Sequence, residues 1–332
     1  MQFLIVRLGA LGDVVHAIPV AAALRRAFPG ARIHWLVDAR HRELVDLVTV
    51  VDRVIVVPSS TPRGWMQALR ATREVRYDVA FDLQGLLKSA ILARASGARR
   101  VAGFALEHLR EKAARPFYTS VEAAEGGHAI LKNLRLLRTI GIDDLQLDFP
   151  LAQVDSPALD ALRRTIGESR FALLNPGAAW PNKRWPAERF GALAAQIRER
   201  CGLTPVVLWG PGDETLAAAV TAASNGTALL APPTRVRDIV ALSRAAELFV
   251  AGDTGPLHIA MAVGTPTVSL FGPTDPNRNG PWAPRDVVVS RASQCGCHID
   301  RRCRQASWCL ADIGVSEVSA AVQRLATERL RA

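Results

Sequence analysis

The chain has 332 residues, 49% hydrophobic and 22% charged, a globular balance at a length that suits about two domains and excludes disorder, collagen and coiled coil. Its 41 basic against 31 acidic residues leave a formal charge of +10, which favours an anionic partner such as a phosphate-bearing small molecule, nucleic acid or an anionic lipid surface. The basic residues are scattered and not interleaved with aromatics, so nucleic acid is not expected.

No apolar run approaches the about 20 residues of a spanning helix, and Arg7 and Asp13 fall where a signal peptide's core would have to stay uncharged. The chain is therefore expected to start at or near Met1 in the cytoplasm. Short β-branched runs alternate with helical patterns, which predicts an α/β protein with parallel sheets. Phe3–Arg7 reads as a buried strand, followed by a helix whose buried face is Val14, Ile18, Ala21, Leu24 and Phe28. Pro19 inside that pattern removes a donor and predicts a kink or a short first turn. Strands at Arg32–Val37, Arg53–Val57 and Val79–Leu83 follow, with helices after Pro62, from about Leu86 to Ala95, and from about His128 to Thr139, ending at Gly141. Gly141 to Pro157 is acidic, holds two prolines and is the best linker. The alternation then restarts with Phe171–Leu174, Pro205–Trp209, Leu248–Ala251 and Thr267–Phe271, and Ser316–Arg331 reads as one amphipathic helix.

In open α/β sheets ligands bind beyond the carboxyl ends of strands, so three loops carry the functional reading. Leu8–Asp13 holds Gly9 and Gly12 but lacks the G-x-G-x-x-G fingerprint of a dinucleotide site. Asp13 is either a carboxylate at a ligand site or a helix N-cap, and His16, three residues on, either shares its face or is simply packed. The Asn175–Pro186 loop carries two tryptophans around Lys183 and Arg184, and Lys183 is the only lysine of the second half. A retained lysine among arginines suits a point-charge contact to phosphate, with a solvated surface cation as the bland alternative. The third loop is the sharpest. Asp253, Thr254 and Gly255 end a strand and Pro256 opens a helix, so unsatisfied N–H groups and a hydroxyl converge on a spot suited to a diphosphate. Turn formation explains the Gly and Pro but not His258 in the first helical turn, nor the Gly272-Pro-Thr-Asp275 turn that follows.

These residues resemble a known family. Gly252-Asp-Thr-Gly-Pro-Leu-His-Ile-Ala-Met-Ala262, Phe271-Gly-Pro-Thr-Asp-Pro276 and Gly12-Asp-Val-Val-His16 look like the motifs of the ADP-heptose:lipopolysaccharide heptosyltransferases of glycosyltransferase family 9. The segment Tyr77–Ala90 is most similar to the branch that adds the first heptose to the Kdo inner core, heptosyltransferase I. The likeness spans about residues 1–290. It implies a GT-B fold: Rossmann-like domains facing across a cleft, an acceptor domain at 1–150, a nucleotide-sugar domain at 158–315, and a helix at 316–332 returning onto the first. It also implies Asp13 as general base, Lys183 at the donor phosphates, and Asp253, Thr254, Gly255, Pro256, Leu257 and His258 in the donor loop, with Glu214 near the nucleoside. Gly12, His16, Arg63 and Gln84 are the implied acceptor contacts.

Such an enzyme would move L-glycero-D-manno-heptose from ADP-heptose to Kdo-lipid A with inversion, on the cytoplasmic face of the inner membrane and with no required metal or cofactor. Arg63, Arg99, Arg100, Arg110, Arg115 and Trp65 are candidates for the anionic lipid surface, each with a solvated or packed alternative. One part departs from that branch: Cys295, Cys297, Cys303 and Cys309 resemble the cysteine-rich tail of other members, heptosyltransferase II among them. Four thiols so close suggest structural zinc or an iron–sulfur cluster, with His298 as a substitute ligand, or simply reduced cysteines. The rival readings are a family transferase of another step or donor, an NAD-dependent Rossmann oxidoreductase, and a sugar-nucleotide binder without chemistry.

Overall fold

The computed structural model describes residues 1–59, 61–123, 127–297, 300–303 and 307–331, with side chains through residue 327. It divides into two compact units, Met1–Ala152 and Gln153–Ala332.

In the first unit the strands are β1 (Gln2–Val6), β2 (Arg32–Asp38), β3 (Arg53–Val57), β4 (Val79–Asp82), β5 (Arg100–Phe104) and β6 (Ser120–Glu122). All pair in parallel, in the order β3-β2-β1-β4-β5-β6. The helices are α1 (Leu11–Val15), α2 (Ile18–Ala27), α3 (Arg42–Asp46), α4 (Pro62–Arg73), α5 (Leu87–Ala95) and α6 (Ala129–Arg135). The single helix expected over Val14–Phe28 is thus two. Pro19 sits in the first turn of α2, where its missing N–H costs nothing, and the break falls at His16-Ala17. α6 runs on as a 3-10 turn, Leu136–Ile140, and stops at Gly141, whose φ of +83° is the left-handed cap that glycine adopts without strain. β5, RVAGF, escaped the sequence reading because Ala and Gly dilute its β-branched signal, and β6 because it has three residues and polar ends.

The second unit repeats the plan with β7 (Phe171–Asn175), β8 (Thr204–Val207), β9 (Leu229–Leu230), β10 (Leu248–Gly252), β11 (Thr267–Phe271) and β12 (Val287–Ser290), in the order β12-β11-β10-β7-β8-β9. Counted from its own first strand, each sheet therefore has the Rossmann order 3-2-1-4-5-6. Its helices are α7 (Pro157–Ile166), α8 (Ala187–Cys201), α9 (Glu214–Ala223), α10 (Val236–Ala245), α11 (Gly255–Ala262), α12 (Pro276–Asn279) and α13 (Val315–Arg331). The expected linker ends at Ser156, whose hydroxyl caps α7 through the Leu159 N–H. The C-terminal helix, expected to return onto the first unit, buries Val318, Ala321, Val322 and Leu325 in its own unit's core with Trp185, Phe190 and Leu193 of the α8 region. No helix among the described residues is long and apolar enough to cross a membrane.

Candidate functional site

Each sheet has one switch point, between its first and fourth strands, where the crossovers part to opposite directions and open a crevice at the carboxyl edge. The chemistry-bearing loops lie there in both units.

In the second unit the crevice lies between β7 and β10. Asp253, immediately after β10, is buried and uses both oxygens. Oδ2 accepts from Lys183 Nζ at 2.6 Å and from Thr274 Oγ1 at 2.8 Å, and Oδ1 lies 3.0 Å from His258 Nε2. Burial alone would push this carboxyl up, but the hydrogen bond and charge of His258, with the charge and hydrogen bond of Lys183, hold it well below the usual carboxylate range. Lys183 also stands 4.5 Å over the Trp180 ring. It is therefore anchored, not a loose surface cation.

Thr254 caps α11 in extended conformation, and its hydroxyl accepts from Asn175 Nδ2 at 3.3 Å. In the first turn Gly255 and Leu257 contribute N–H groups that the helix does not satisfy, whereas Pro256 contributes none. Two glycines permit the close packing. A Cβ on Gly252 would come within 2.5 Å of the Lys183 carbonyl oxygen, and one on Gly177 would collide with the Asp213 carboxylate. Asp213 pairs with Arg184 at 3.2 Å and ties the loops after β7 and β8 together. Burial raises its pKa, with Arg184 opposing. Glu214, at the start of α9, is exposed beside it.

In the first unit Asp13 is not the N-cap of its helix. Ala10 holds that position, and Asp13 sits in the first turn, where its Oδ2 accepts from the Ala10 N–H at 3.2 Å. Its Oδ1 pairs with Arg7 at 2.7 Å, and its side chain remains 39% exposed. Gln84, expected at the acceptor, accepts the Leu8 N–H through its side-chain oxygen at 2.9 Å and so shapes the segment that leads to Asp13. Behind it Asp82 is fully buried and accepts from Tyr118 Oη (2.7 Å), Ser89 Oγ (2.9 Å) and the Gln84 N–H (2.9 Å). Burial raises its pKa against those bonds. His16 is only 2% exposed, its ring edge-on to His128 with centroids 5.4 Å apart. Gly12 lies within α1, and Arg63 is exposed in the first turn of α4.

The arginines considered for a lipid surface separate. Arg110 follows β5, and Arg63 lies beyond β3, both on the carboxyl side of the sheet. Arg99 and Arg100 stand at the amino end of β5, where Arg99 pairs with Asp78 and Arg100 donates to the Thr139 carbonyl. Arg115 is tied to the Tyr118 carbonyl. Trp65 is half-buried.

The cysteines are free thiols. Cys295, Cys297, Cys303 and Cys309 gather around one small cavity, and Cys295 Sγ and Cys297 Sγ are 3.2 Å apart. Burial and the neighbouring thiols push Cys297 up to about 12. Among the described residues no group of three or more His, Cys, Asp or Glu is arranged to hold a metal ion. His298 lies outside the described residues. What the cysteine segment does touch is the lysine loop. Asn182 Nδ2 donates to the Asp300 carbonyl at 2.9 Å, and Trp308 Nε1 donates to the Arg184 carbonyl at 2.7 Å.

The sequence reading missed Arg7, Asp82, Asn175 and Thr274. For each there was a signal: Arg7, Asp82 and Asn175 are polar residues ending or just following otherwise apolar strands, at the sheet edge where ligands bind, and Thr274 lies in the Gly-Pro-Thr-Asp turn that turn formation alone does not explain.

Each of the two Rossmann-ordered sheets thus carries a polar cluster at its switch point, an arrangement suited to a ligand-binding double unit. A profile of glycosyltransferase family 9 (heptosyltransferase) matches residues 65–309. The chain is 31% identical over 317 residues to lipopolysaccharide heptosyltransferase 1 of Pseudomonas aeruginosa, covering 91% of this chain and 87% of that one. Among solved structures it resembles a family 9 glycosyl transferase of Veillonella parvula, with TM-score 0.82, 23% identity, and 98% and 97% of the two chains covered. It also resembles the E. coli heptosyltransferase WaaC solved with ADP, with TM-score 0.78, 20% identity, and 98% and 100% covered. The fold is GT-B, and the chain belongs to glycosyltransferase family 9. It is a transferase, which replaces the oxidoreductase and binding-only readings.

Proposed function

We propose that this enzyme transfers L-glycero-D-manno-heptose from ADP-heptose to the Kdo inner core of lipid A, with inversion, at the cytoplasmic face of the inner membrane. The observation that carries the reading is the buried cluster of Lys183, Asp253, His258 and Thr274 beside the amino end of α11. Asp253 is spent on its neighbours, so its work is to fix Lys183. The ammonium and the first-turn N–H groups of Gly255 and Leu257 then hold the donor diphosphate. Glu214 lies near the nucleoside.

In the reaction the acceptor hydroxyl oxygen bonds to the anomeric carbon as the bond to the diphosphate breaks, and the electron pair leaves with ADP. Asp13 takes the hydroxyl proton. A carboxylate is too weak a base to ionise an alcohol beforehand, so its proton transfer is late and concerted with bond formation. Negative charge grows on the diphosphate, where fixed donors contribute several kcal/mol, on the order of 3 for each well-placed one. No step needs a metal. Arg63 and Arg110, on the carboxyl side of the first sheet, suit the phosphates of the lipid acceptor, and the net charge of +10 suits its membrane.

Calorimetry of ADP against UDP, GDP and NAD tests the donor. ADP is expected to bind at least about tenfold more tightly than the others, a difference of about 1.4 kcal/mol. Preference for UDP would remove the heptose assignment.

A further inference from the structure

Arg7 is the residue of the first switch point that the mechanism above leaves unused. It directly follows β1, a run of four apolar residues after Gln2, and its side chain is only 11% exposed. Three contacts fix it. One guanidinium nitrogen donates to the Leu83 carbonyl beyond β4, the other pairs with Asp13 Oδ1 at 2.7 Å, and its own carbonyl accepts the Trp35 indole N–H at 3.2 Å. Its Nε is buried with no partner among the described residues. That is a poor arrangement for stability alone. A pair with so exposed a carboxylate contributes little, while an unsatisfied buried N–H is destabilising.

The geometry makes sense as orientation. A carboxylate on a loop can rotate about its last bond and offer either oxygen. Here Oδ1 is taken by a rigid guanidinium, and Oδ2 has only the long contact of 3.2 Å to the Ala10 N–H. We propose that Arg7 is a positioning residue for Asp13, holding Oδ1 so that Oδ2 is the atom that receives the acceptor's proton. The inference rests on the reading of Asp13 as base. The proton passes from the acceptor hydroxyl to Oδ2 while the new C–O bond forms and the diphosphate departs. Arg7 gains and loses nothing and touches no reacting atom.

Steady-state turnover of the full-length enzyme with ADP-heptose and Kdo-lipid A tests this, alone and as a double-mutant cycle with Asp13→Asn. Arg7→Met is expected to lower kcat about 100-fold, within the range for general-base catalysis, with donor KM and ADP affinity unchanged. Arg7→Lys is expected to recover about tenfold of that and serves as the decisive variant if Arg7→Met does not fold. In the Asp13→Asn background either change is expected to cost less than about twofold, because there is no longer a base to orient. Arg7 variants that keep turnover within about threefold, or whose loss multiplies fully with that of Asp13→Asn, would overturn the proposal. A slow Asp13→Asn beside fast Arg7 variants sinks this inference alone, whereas a fast Asp13→Asn sinks the base and takes the inference with it.

Discussion

The two switch points have the same topology, and each holds an aspartate paired to a cation, but the two acids differ in how completely they are satisfied. In the second unit a buried aspartate gathers a lysine, a histidine and a threonine, and both its oxygens are satisfied within 3.0 Å. In the first, Asp13 is 39% exposed, with one oxygen held by Arg7 and the other in a single long contact. A buried and fully partnered charge is a fixture, suited to binding a constant anion such as a diphosphate. A half-exposed carboxylate with a spare lone pair suits proton transfer, which a saturated one cannot perform. On the proposed mechanism, one architecture supplies a rigid clamp and an available base by differing in how completely each acid is satisfied.

Removing the fixture gives the largest expected effect. Asp253→Ala leaves Lys183 and His258 without their carboxylate, and breaking such a buried pair costs about 3–5 kcal/mol. Chemical denaturation should show that loss, and calorimetry should show ADP binding abolished. A variant that still binds ADP like the parent would mean that Asp253 does not organise the clamp. Gly252→Ala is milder. The added methyl would press on the Lys183 carbonyl oxygen from 2.5 Å, and overpacking of this kind costs about 1–3 kcal/mol. ADP affinity should fall about tenfold, with Asp13 and its surroundings untouched.

The smallest effect is a difference in pH response. Asp253, held below its ordinary value, contributes stability above the unfolded carboxylate pKa of about 3.9 and loses it as the pH falls. Asp82, raised by burial, works in the opposite sense: its contribution is present below about 3.9 and is lost as the pH rises. The stability gap between the parent and Asp253→Asn should therefore shrink in acid, and the gap between the parent and Asp82→Asn should grow. Urea unfolding across pH 3–7 distinguishes the two trends, and equal slopes would show that the two acids are not held differently.

The sequence made the larger plan legible. Apolar runs such as Phe3–Val6 and Phe171–Leu174 are too short and too continuous for anything but strands buried on both faces. The donor loop was legible because Gly, Pro and His cannot all be explained by a turn. What was hidden was partnership. Nothing in Phe-Gly-Pro-Thr says that Thr274 reaches Asp253, since the two follow adjacent strands whose register only the folded sheet fixes. Nor does the sequence show that the Gln84 side-chain oxygen accepts the Leu8 N–H, a contact that only the folded sheet brings about. The four cysteines suggested either a metal or simply reduced thiols, and the folded chain shows free thiols gathered at one cavity, in a segment that braces the Lys183 loop through Asn182 and Trp308.

The division of labour is tested most directly by measuring turnover and ADP affinity on one preparation of Asp13→Asn. Turnover should fall by about 10²–10⁴, the usual contribution of a general base, while ADP binds as in the parent. Turnover within about tenfold of the parent would contradict the account, because the exposed carboxylate would then not be the group that receives the proton, and so would a parallel loss of ADP affinity, because Asp13 would then serve donor binding as well.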